Sequence, residues 1–200
     1  MDDLERTYDR IAADWDRDHT NDEWWKVEID QYLARVPKGG TILDLGCGPG
    51  HKSAYFLKKG YDVTGVDLSS EMIKIARTKV KKGTFEQLDM YELPAIGRTF
   101  DSVFMCASLL HIPKKDVPYI LLSVAAILNP GGTCYVSVKE KRDGESEEGV
   151  ATENDYGYEY ERFFNFFTRE ELYASLSAAG MQPIYEATTN TGKTNWLVIV

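Results

Sequence analysis

Three carboxylates and a glycine turn are the residues whose types and spacing point most directly to chemistry. Thr41 to Ser53 reads TILDLGCGPGHKS, an apolar run followed by Gly46, Gly48 and Gly50 at alternate positions and then a helix-like segment. A strand that enters a helix through such a turn is where open α/β sheets bind ligands. The dinucleotide fingerprint G-x-G-x-x-G puts its third glycine at position 51, but His51 stands there and the third glycine comes one residue early. Asp44, inside the strand end, repels a pyrophosphate yet can accept a hydrogen bond from a cationic amine, which suits an amino-acid head group. Asp67 closes a second strand-like run, VTGVD, at the separation where α/β nucleotide sites place a carboxylate on ribose hydroxyls. That implies an adenosine-like ligand. Asp89, just past FEQL, brings a third acid to the same edge, and three acids make a poor phosphate site.

The elements that must position these residues alternate between strand and helix from Thr41 onward, which predicts a parallel sheet with helices on both faces. Strands are expected at 41–45, 61–66, 84–88, 100–106 and 133–138, with helices over SAYFLKK, EMIKIARTKVKK and VPYILLSVAAIL between them. Ser69 or Ser70 is placed to cap the second of these helices, and NPGG to stop the third. Thr168 and Glu171 form a T-x-x-E capping box for REELYASLSAA, which Gly180 ends. QPIYEATT and NWLVIV follow, joined by Asn190, Thr191, Gly192 and Lys193, a connection short enough only for an antiparallel hairpin. The expected fold is therefore α/β and Rossmann-like: a seven-stranded, mostly parallel sheet closed by a C-terminal antiparallel hairpin. Ahead of it, Leu4, Tyr8, Ile11 and Trp15, then Trp25, Ile29, Tyr32, Leu33 and Val36, recur at helical spacing and predict a helical cap over residues 1–38. Lys139 to Asp155 is polar and reads as a mobile loop.

Composition sets bounds on function. The 200 residues, 43% of them hydrophobic, suit one well-buried domain over 1–200. A net charge of −9 disfavours nucleic acid as a partner, since that affinity comes from Lys and Arg neutralising phosphates. Cys47, Cys106 and Cys134 are odd in number and widely spaced, which argues against a disulfide framework and against zinc, so no metal site is expected. MDDLERTYDR lacks the features of a signal peptide and no stretch approaches a membrane span, so the expected setting is cytoplasmic with no membrane partner. The oligomeric state stays open.

LDLGCGPG, GVDLS, LDM and FDSVFMCASLLHI, followed by NPGG and the closing hairpin, resemble the class I S-adenosylmethionine-dependent methyltransferases over nearly the whole chain. The resemblance implies S-adenosyl-L-methionine as cofactor and S-adenosyl-L-homocysteine as product. It puts Gly46, Gly48 and Asp44 at the methionine part and Asp67 at the ribose. Leu68 and Met72 then flank the adenine, Asp89 and Met90 read its amino edge, and Cys47, Gly50 and Cys106 complete the surround.

For the acceptor, His111 in LLHIP follows the fourth strand at the sheet's carboxyl edge, where a histidine can take a proton from an oxygen or nitrogen nucleophile. No Asn/Asp-Pro-Pro-aromatic signature follows that strand, which lowers the weight of planar amide or exocyclic amino acceptors. Tyr8, Trp15 and Trp25 from the N-terminal cap, with Tyr158 and Phe163 from a lid at 139–165, are the expected walls of an aromatic or apolar acceptor pocket. Arg142 and Arg162 are placed to hold an acceptor carboxylate. The expected function is methyl transfer to oxygen or nitrogen of a small molecule. Two alternatives stay open: a non-catalytic S-adenosylmethionine-binding regulatory or partner protein, and a methyltransferase acting on protein or RNA.

Overall fold

Period-two burial along the strands settles which side chains reach which layer. In the computed structural model, which describes residues 2–192 and 194–200, α1 (Asp2–His19) and α2 (Lys26–Leu33) precede β1 (Thr41–Leu45). There follow α3 (His51–Lys58), β2 (Asp62–Asp67), α4 (Ser70–Lys79), β3 (Thr84–Gln87), a 3-10 turn at Met90–Ile96 and β4 (Phe100–Cys106). After α5 (Val117–Ile127) come β5 (Leu128–Lys139), β6 (Glu148–Glu153), β7 (Tyr160–Asn165), α6 (Arg169–Ala178), β8 (Glu186–Asn190) and β9 (Asn195–Ile199). Seven strands form one sheet in the order β3-β2-β1-β4-β5-β9-β8, parallel except that β9 runs antiparallel to both its neighbours. This is the expected fold class. Lys193, part of the anticipated hairpin turn, lies outside the described residues.

Leu43, Leu45, Val103, Met105, Val136 and Val138 point to the layer that holds α5 and α6. Their neighbours Ile42, Phe104, Tyr135 and Val198 point the other way, onto α2 and α3. Tyr32, Phe56 and Phe104 are each fully buried in that second layer, and such burial contributes roughly 1.5–3 kcal/mol per large side chain. Caps fix the helix entries: Ser69 Oγ accepts from the Met72 N–H over 3.1 Å, and Thr168 with Glu171 forms the reciprocal box read from the sequence. No helix among the described residues is long and apolar enough to cross a membrane.

Two expectations are corrected. Lys139 to Asp155 is not a loop throughout: Glu148–Glu153 pairs antiparallel with Tyr160–Asn165, from Glu148↔Asn165 to Glu153↔Tyr160. Its polar composition misleads because backbone pairing and one ion pair, Glu153 with Arg162, hold the hairpin instead of a two-sided core. The fifth strand begins at Leu128, not Thr133, because Phe100 pairs with Leu128 before the register shifts to Ser102↔Thr133. Asn129 Nδ2 donates to Asp101 Oδ1 over 2.8 Å and pins that irregularity.

Candidate active site

The three glycines of the turn are required for two different reasons. All have positive φ, at 82°, 54° and 85° for Gly46, Gly48 and Gly50, a conformation that other residues adopt at a cost. A Cβ on Gly46 would stand 2.4 Å from Ser108 Cβ, and one on Gly50 would meet Ala76 and Val80 of the α4 region at 3.1–3.2 Å, so both admit close packing of protein on protein. A Cβ on Gly48 meets nothing within 4 Å. Gly48 lines a cavity of about 650 Å³ over the carboxyl ends of the parallel strands.

The acids divide in the same way. Asp67, at the end of β2, lines the cavity, and its two carboxylate oxygens accept the Gly48 N–H at 2.8 Å and the Ser69 N–H at 2.9 Å. Burial raises its pKa, against those two hydrogen bonds, which lower it. Asp89 also lines the cavity, while its Oδ1 caps the 3-10 turn by accepting from the Tyr91 N–H at 3.0 Å. Asp44 does not belong to the wall. Strand alternation turns it onto α3, where it is 2% exposed and accepts from Ser53 Oγ at 2.6 Å, and burial pushes its pKa up to about 6.

Of the remaining residues anticipated for the cofactor, Gly46, Cys47, Leu68, Met72, Met90 and Cys106 all line the cavity, and Gly50 does not. Burial pushes the Cys47 and Cys106 thiols up, so neither offers a thiolate. Ala107, directly after β4, has φ of 57°, the one non-glycine in the left-handed region among the described residues. It too faces the cavity, and its N–H donates to the Ser137 carbonyl at 2.9 Å.

The N-terminal cap lies over this opening and supplies Tyr8, Trp15 and Trp25 to the wall. Asp9 fastens α1 to the start of α4 by accepting from Ser69 Oγ at 2.6 Å and the Glu71 N–H at 3.1 Å. Asp16 accepts from Lys79 Nζ at 2.6 Å and bonds His51 Nε2 at 2.8 Å. Four anticipated acceptor residues fall elsewhere: Arg142 and Arg162 do not line the cavity, Arg162 being paired with Glu153, and neither do Tyr158 and Phe163. Tyr158, in the β6–β7 connection, turns outward to donate to Asp14 at 2.7 Å beneath the Arg10 guanidinium. Phe163 contributes its backbone carbonyl, not its ring, because alternation along β7 gives the inward places to Arg162 and Phe164.

His111 lines the cavity in the segment after β4, whose Ser108 packs on Gly46 of the turn. Its Nδ1 bonds the Phe163 carbonyl at 2.7 Å, and since a carbonyl only accepts, Nδ1 carries the proton and Nε2 is free to accept. Nε2 takes the Tyr8 hydroxyl proton over 2.7 Å, and Tyr8 Oη in turn accepts from Arg162 Nη1 at 3.2 Å. Arg162 is 7% exposed and ends the chain of contacts in a bidentate pair with Glu153 at 2.5 and 2.6 Å. Burial, with the Arg162 and Lys139 charges nearby, drops the His111 pKa to about 3.

Sequence reasoning did not single out Trp196, Tyr91 or Lys52, all of which line the cavity. Trp196 stacks on Trp24 with centroids 5.3 Å apart, and all four tryptophans of the chain line the cavity. Strand parity alone did not give its place, since Trp196 packs at the edge of the layer of Leu197 and Ile199 while stacking on Trp24 of the other layer.

Residues 42–132 match the family model described as a methyltransferase domain. The chain is 36% identical over 136 residues to a putative methyltransferase, YqeM, of Bacillus subtilis, covering 66% of this chain and 52% of that protein. It is 34% identical over 119 residues to a ubiquinone biosynthesis O-methyltransferase of Xanthomonas campestris, covering 56% and 48%. The chain thus spans about half the length of these curated relatives. In fold it is similar to the 1,6-didemethyltoxoflavin-N1-methyltransferase of Burkholderia thailandensis, with a TM-score of 0.75 at 24% identity over 98% of this chain and 85% of that one. The glycine turn, the acids at the strand ends and the strand order agree with these matches: residues 42–132 are similar to a methyltransferase domain, and the sheet has the class I S-adenosylmethionine-dependent methyltransferase fold.

Proposed function

We propose that this protein transfers the methyl group of S-adenosylmethionine to an oxygen or nitrogen atom of a small organic acceptor. The observation that carries the reading is Gly48, a left-handed residue with open space where a Cβ would stand, on the cavity wall beside Asp67. A cradle of that kind fits a ligand laid across the turn. Asp67 would hold the ribose, since each of its oxygens keeps a lone pair beyond its backbone hydrogen bond. Leu68 and Met72 would flank the adenine, with Asp89 and Met90 at its edge, and Gly46, Gly48, Cys47 and Cys106 would border the methionine part.

When bound, the cofactor supplies a methyl group already activated on a sulfonium, so the protein's part is alignment and exclusion of water. The cavity continues past the turn to His111, Trp24 and Trp196, and that added room favours transfer over a cofactor-storing, non-catalytic role. His111 holds a neutral imidazole whose Nε2 is engaged by Tyr8, and a pKa of about 3 makes it a poor proton acceptor. We therefore assign it to positioning at the acceptor end. α1 forms part of the cavity wall and is tied in turn to the β6–β7 hairpin, none of whose residues lines the cavity. The relatives include proteins named for O-methylation and N-methylation of small molecules, which supports a small acceptor and leaves both atoms in view. A labelled-methyl assay across a library of small phenols, enols and amines tests the reading: transfer to at least one class supports it, whereas tight cofactor binding without transfer to any favours the storage role.

A further inference from the structure

Gly46, Cys47, Gly48 and Cys106 border the proposed place of the cofactor's methionine part, and none of them carries a charge. That part ends in an ammonium and a carboxylate. Asp44, the acid expected there, is buried behind the turn on Ser53. Two lysines line the cavity, Lys52 and Lys115, and neither forms an ion pair among the described residues. Their places differ. Lys115 stands before α5 beside Asp116, whose carboxylate accepts the Tyr91 hydroxyl at 2.8 Å, and Tyr91 follows Met90 at the proposed adenine edge. Lys52 is the second residue of α3, directly after the glycine turn.

Its surroundings locate the Lys52 charge. Burial raises the pKa of Asp44 in β1 and of Cys106 at the end of β4, and the Lys52 ammonium works against that rise at both. It therefore lies near the carboxyl ends of those two adjacent strands, beside Gly46 and Cys106. Its Nζ is 5.6 Å from the centroid of the Trp25 ring. A helix N-terminus favours acids, yet the first turn of α3 holds none, Gly50 gives it no side-chain cap, and Lys52 stands there against the dipole. The first-turn N–H groups and the ammonium thus bring their positive ends to one place, which suits an anion.

We infer that Lys52 binds the carboxylate of S-adenosylmethionine and makes the site selective for the carboxylated ligand. The inference rests on the methyl-transfer reading of the cavity. The four-carbon stem lets the ammonium turn from Trp25 to a carboxylate at the first turn of α3, and a carboxylate holds a cation more firmly than an aromatic face does. Two anchors follow. Asp67 would hold the adenosine end and Lys52 the amino-acid end, so the sulfur between them, and the methyl it carries, points one way. The contact also accounts for a lysine at a helix position that favours an acid.

S-adenosylhomocysteine and its decarboxylated analogue, identical but for hydrogen in place of the carboxylate, separate this contact from the rest of the site by calorimetry. Wild-type protein is expected to bind S-adenosylhomocysteine at least about tenfold more tightly than the analogue, the scale of a charge-assisted hydrogen bond. Lys52→Met should remove that preference by weakening S-adenosylhomocysteine alone, with the analogue's affinity unchanged, and Lys52→Arg should keep it. Equal binding of the two by the wild type, a preference that survives in Lys52→Met, or one that Lys115→Met removes instead would overturn the inference. Should Lys52→Met fail to fold, wild-type protein labelled with 13Cε-lysine decides. The Lys52 resonance, identified by its absence in Lys52→Arg, should move with S-adenosylhomocysteine and move less with the analogue, and equal movement counts against the contact. Failure of both nucleosides to bind would overturn the methyl-transfer reading together with this inference, whereas equal binding of both overturns this inference alone.

Discussion

Tyr8 donates its hydroxyl proton to His111 Nε2 over 2.7 Å, tying the first helix of the chain to the segment after the fourth strand. The bond fixes the imidazole tautomer, since Nδ1 is committed to the Phe163 carbonyl. It also closes a circuit through Arg162 and Glu153, so the N-terminal cover and the β6–β7 hairpin are held by one set of contacts.

The neutral His111 makes stability depend on pH. Its pKa falls from the ordinary 6.5 to about 3 on folding, so the unfolded chain binds a proton more readily than the native protein between those values. The contribution of the neutral ring is full above about pH 6.5 and is lost as pH falls toward 3, amounting to roughly 2 kcal/mol by about pH 5. His111→Gln should flatten the loss of stability between about pH 7.5 and pH 5 in denaturant titrations. A wild type and variant that lose stability in parallel would contradict the buried, neutral ring.

Alanine at each glycine of the turn should separate packing from ligand contact. Gly46→Ala brings a Cβ against Ser108 and Gly50→Ala against Val80 and Ala76, each on top of a positive φ, and both should lower thermal stability by more than the roughly 1–2 kcal/mol of the backbone term alone. Gly48→Ala carries only the backbone term and should lose S-adenosylhomocysteine affinity disproportionately. If Gly48→Ala binds the ligand as the wild type does, the cradle assignment fails.

Ala107 invites a stabilising change. Its φ of 57° suits glycine, and Ala107→Gly should leave stability unchanged or raise it by up to about 1 kcal/mol, read from the denaturant midpoint. A clear loss would mean that the methyl group contributes contacts that outweigh the strain.

Cover and hairpin should exchange hydrogen as one unit. Arg10 Nη1 donates to the Glu159 carbonyl, Tyr158 to Asp14 and Arg162 to Tyr8, so α1 cannot lift without freeing the hairpin. Hydrogen exchange should slow in 4–19 and 148–165 together when S-adenosylhomocysteine binds, and Glu153→Gln should speed both in the free protein. Protection that changes in one segment alone would contradict the coupling.

Much of this architecture was legible because strand and helix periodicity, capping residues and turn glycines are local signals. The seven strands with their closing hairpin follow from them, and so do Asp67 and Asp89 at the strand ends, whereas the order of the strands in the sheet is a property of the fold. What escaped depends on which way a side chain turns. Asp44 is one residue short of the carboxyl edge, and alternation sends it onto Ser53 behind the turn. Phe163 loses its inward place to Arg162 and Phe164 by the same rule, and Trp196 reaches the cavity by stacking on Trp24, distant in sequence. The hairpin at Glu148–Asn165 was hidden by its composition, since a buried Arg–Glu pair and one strand partner stand in for an apolar face. The glycine turn misled in a subtler way. Its spacing marks one feature, but only Gly48 of the three has open space where a Cβ would stand, while Gly46 and Gly50 answer to neighbours distant in sequence.

The central claim is that Asp67 and the turn hold the adenosyl cofactor, and calorimetry of S-adenosylhomocysteine against wild type and Asp67→Asn tests it most directly. Asparagine keeps one oxygen for one of the two backbone N–H groups, sets its NH2 against the other and removes the charge, and circular dichroism checks that the variant is folded. Wild-type protein should bind the ligand in a one-to-one ratio, and the variant should bind it more weakly by about 1.5–3 kcal/mol, the scale of lost charge-assisted hydrogen bonds. Wild-type protein that prefers a nicotinamide dinucleotide, or a folded Asp67→Asn variant with an unchanged dissociation constant, would contradict it.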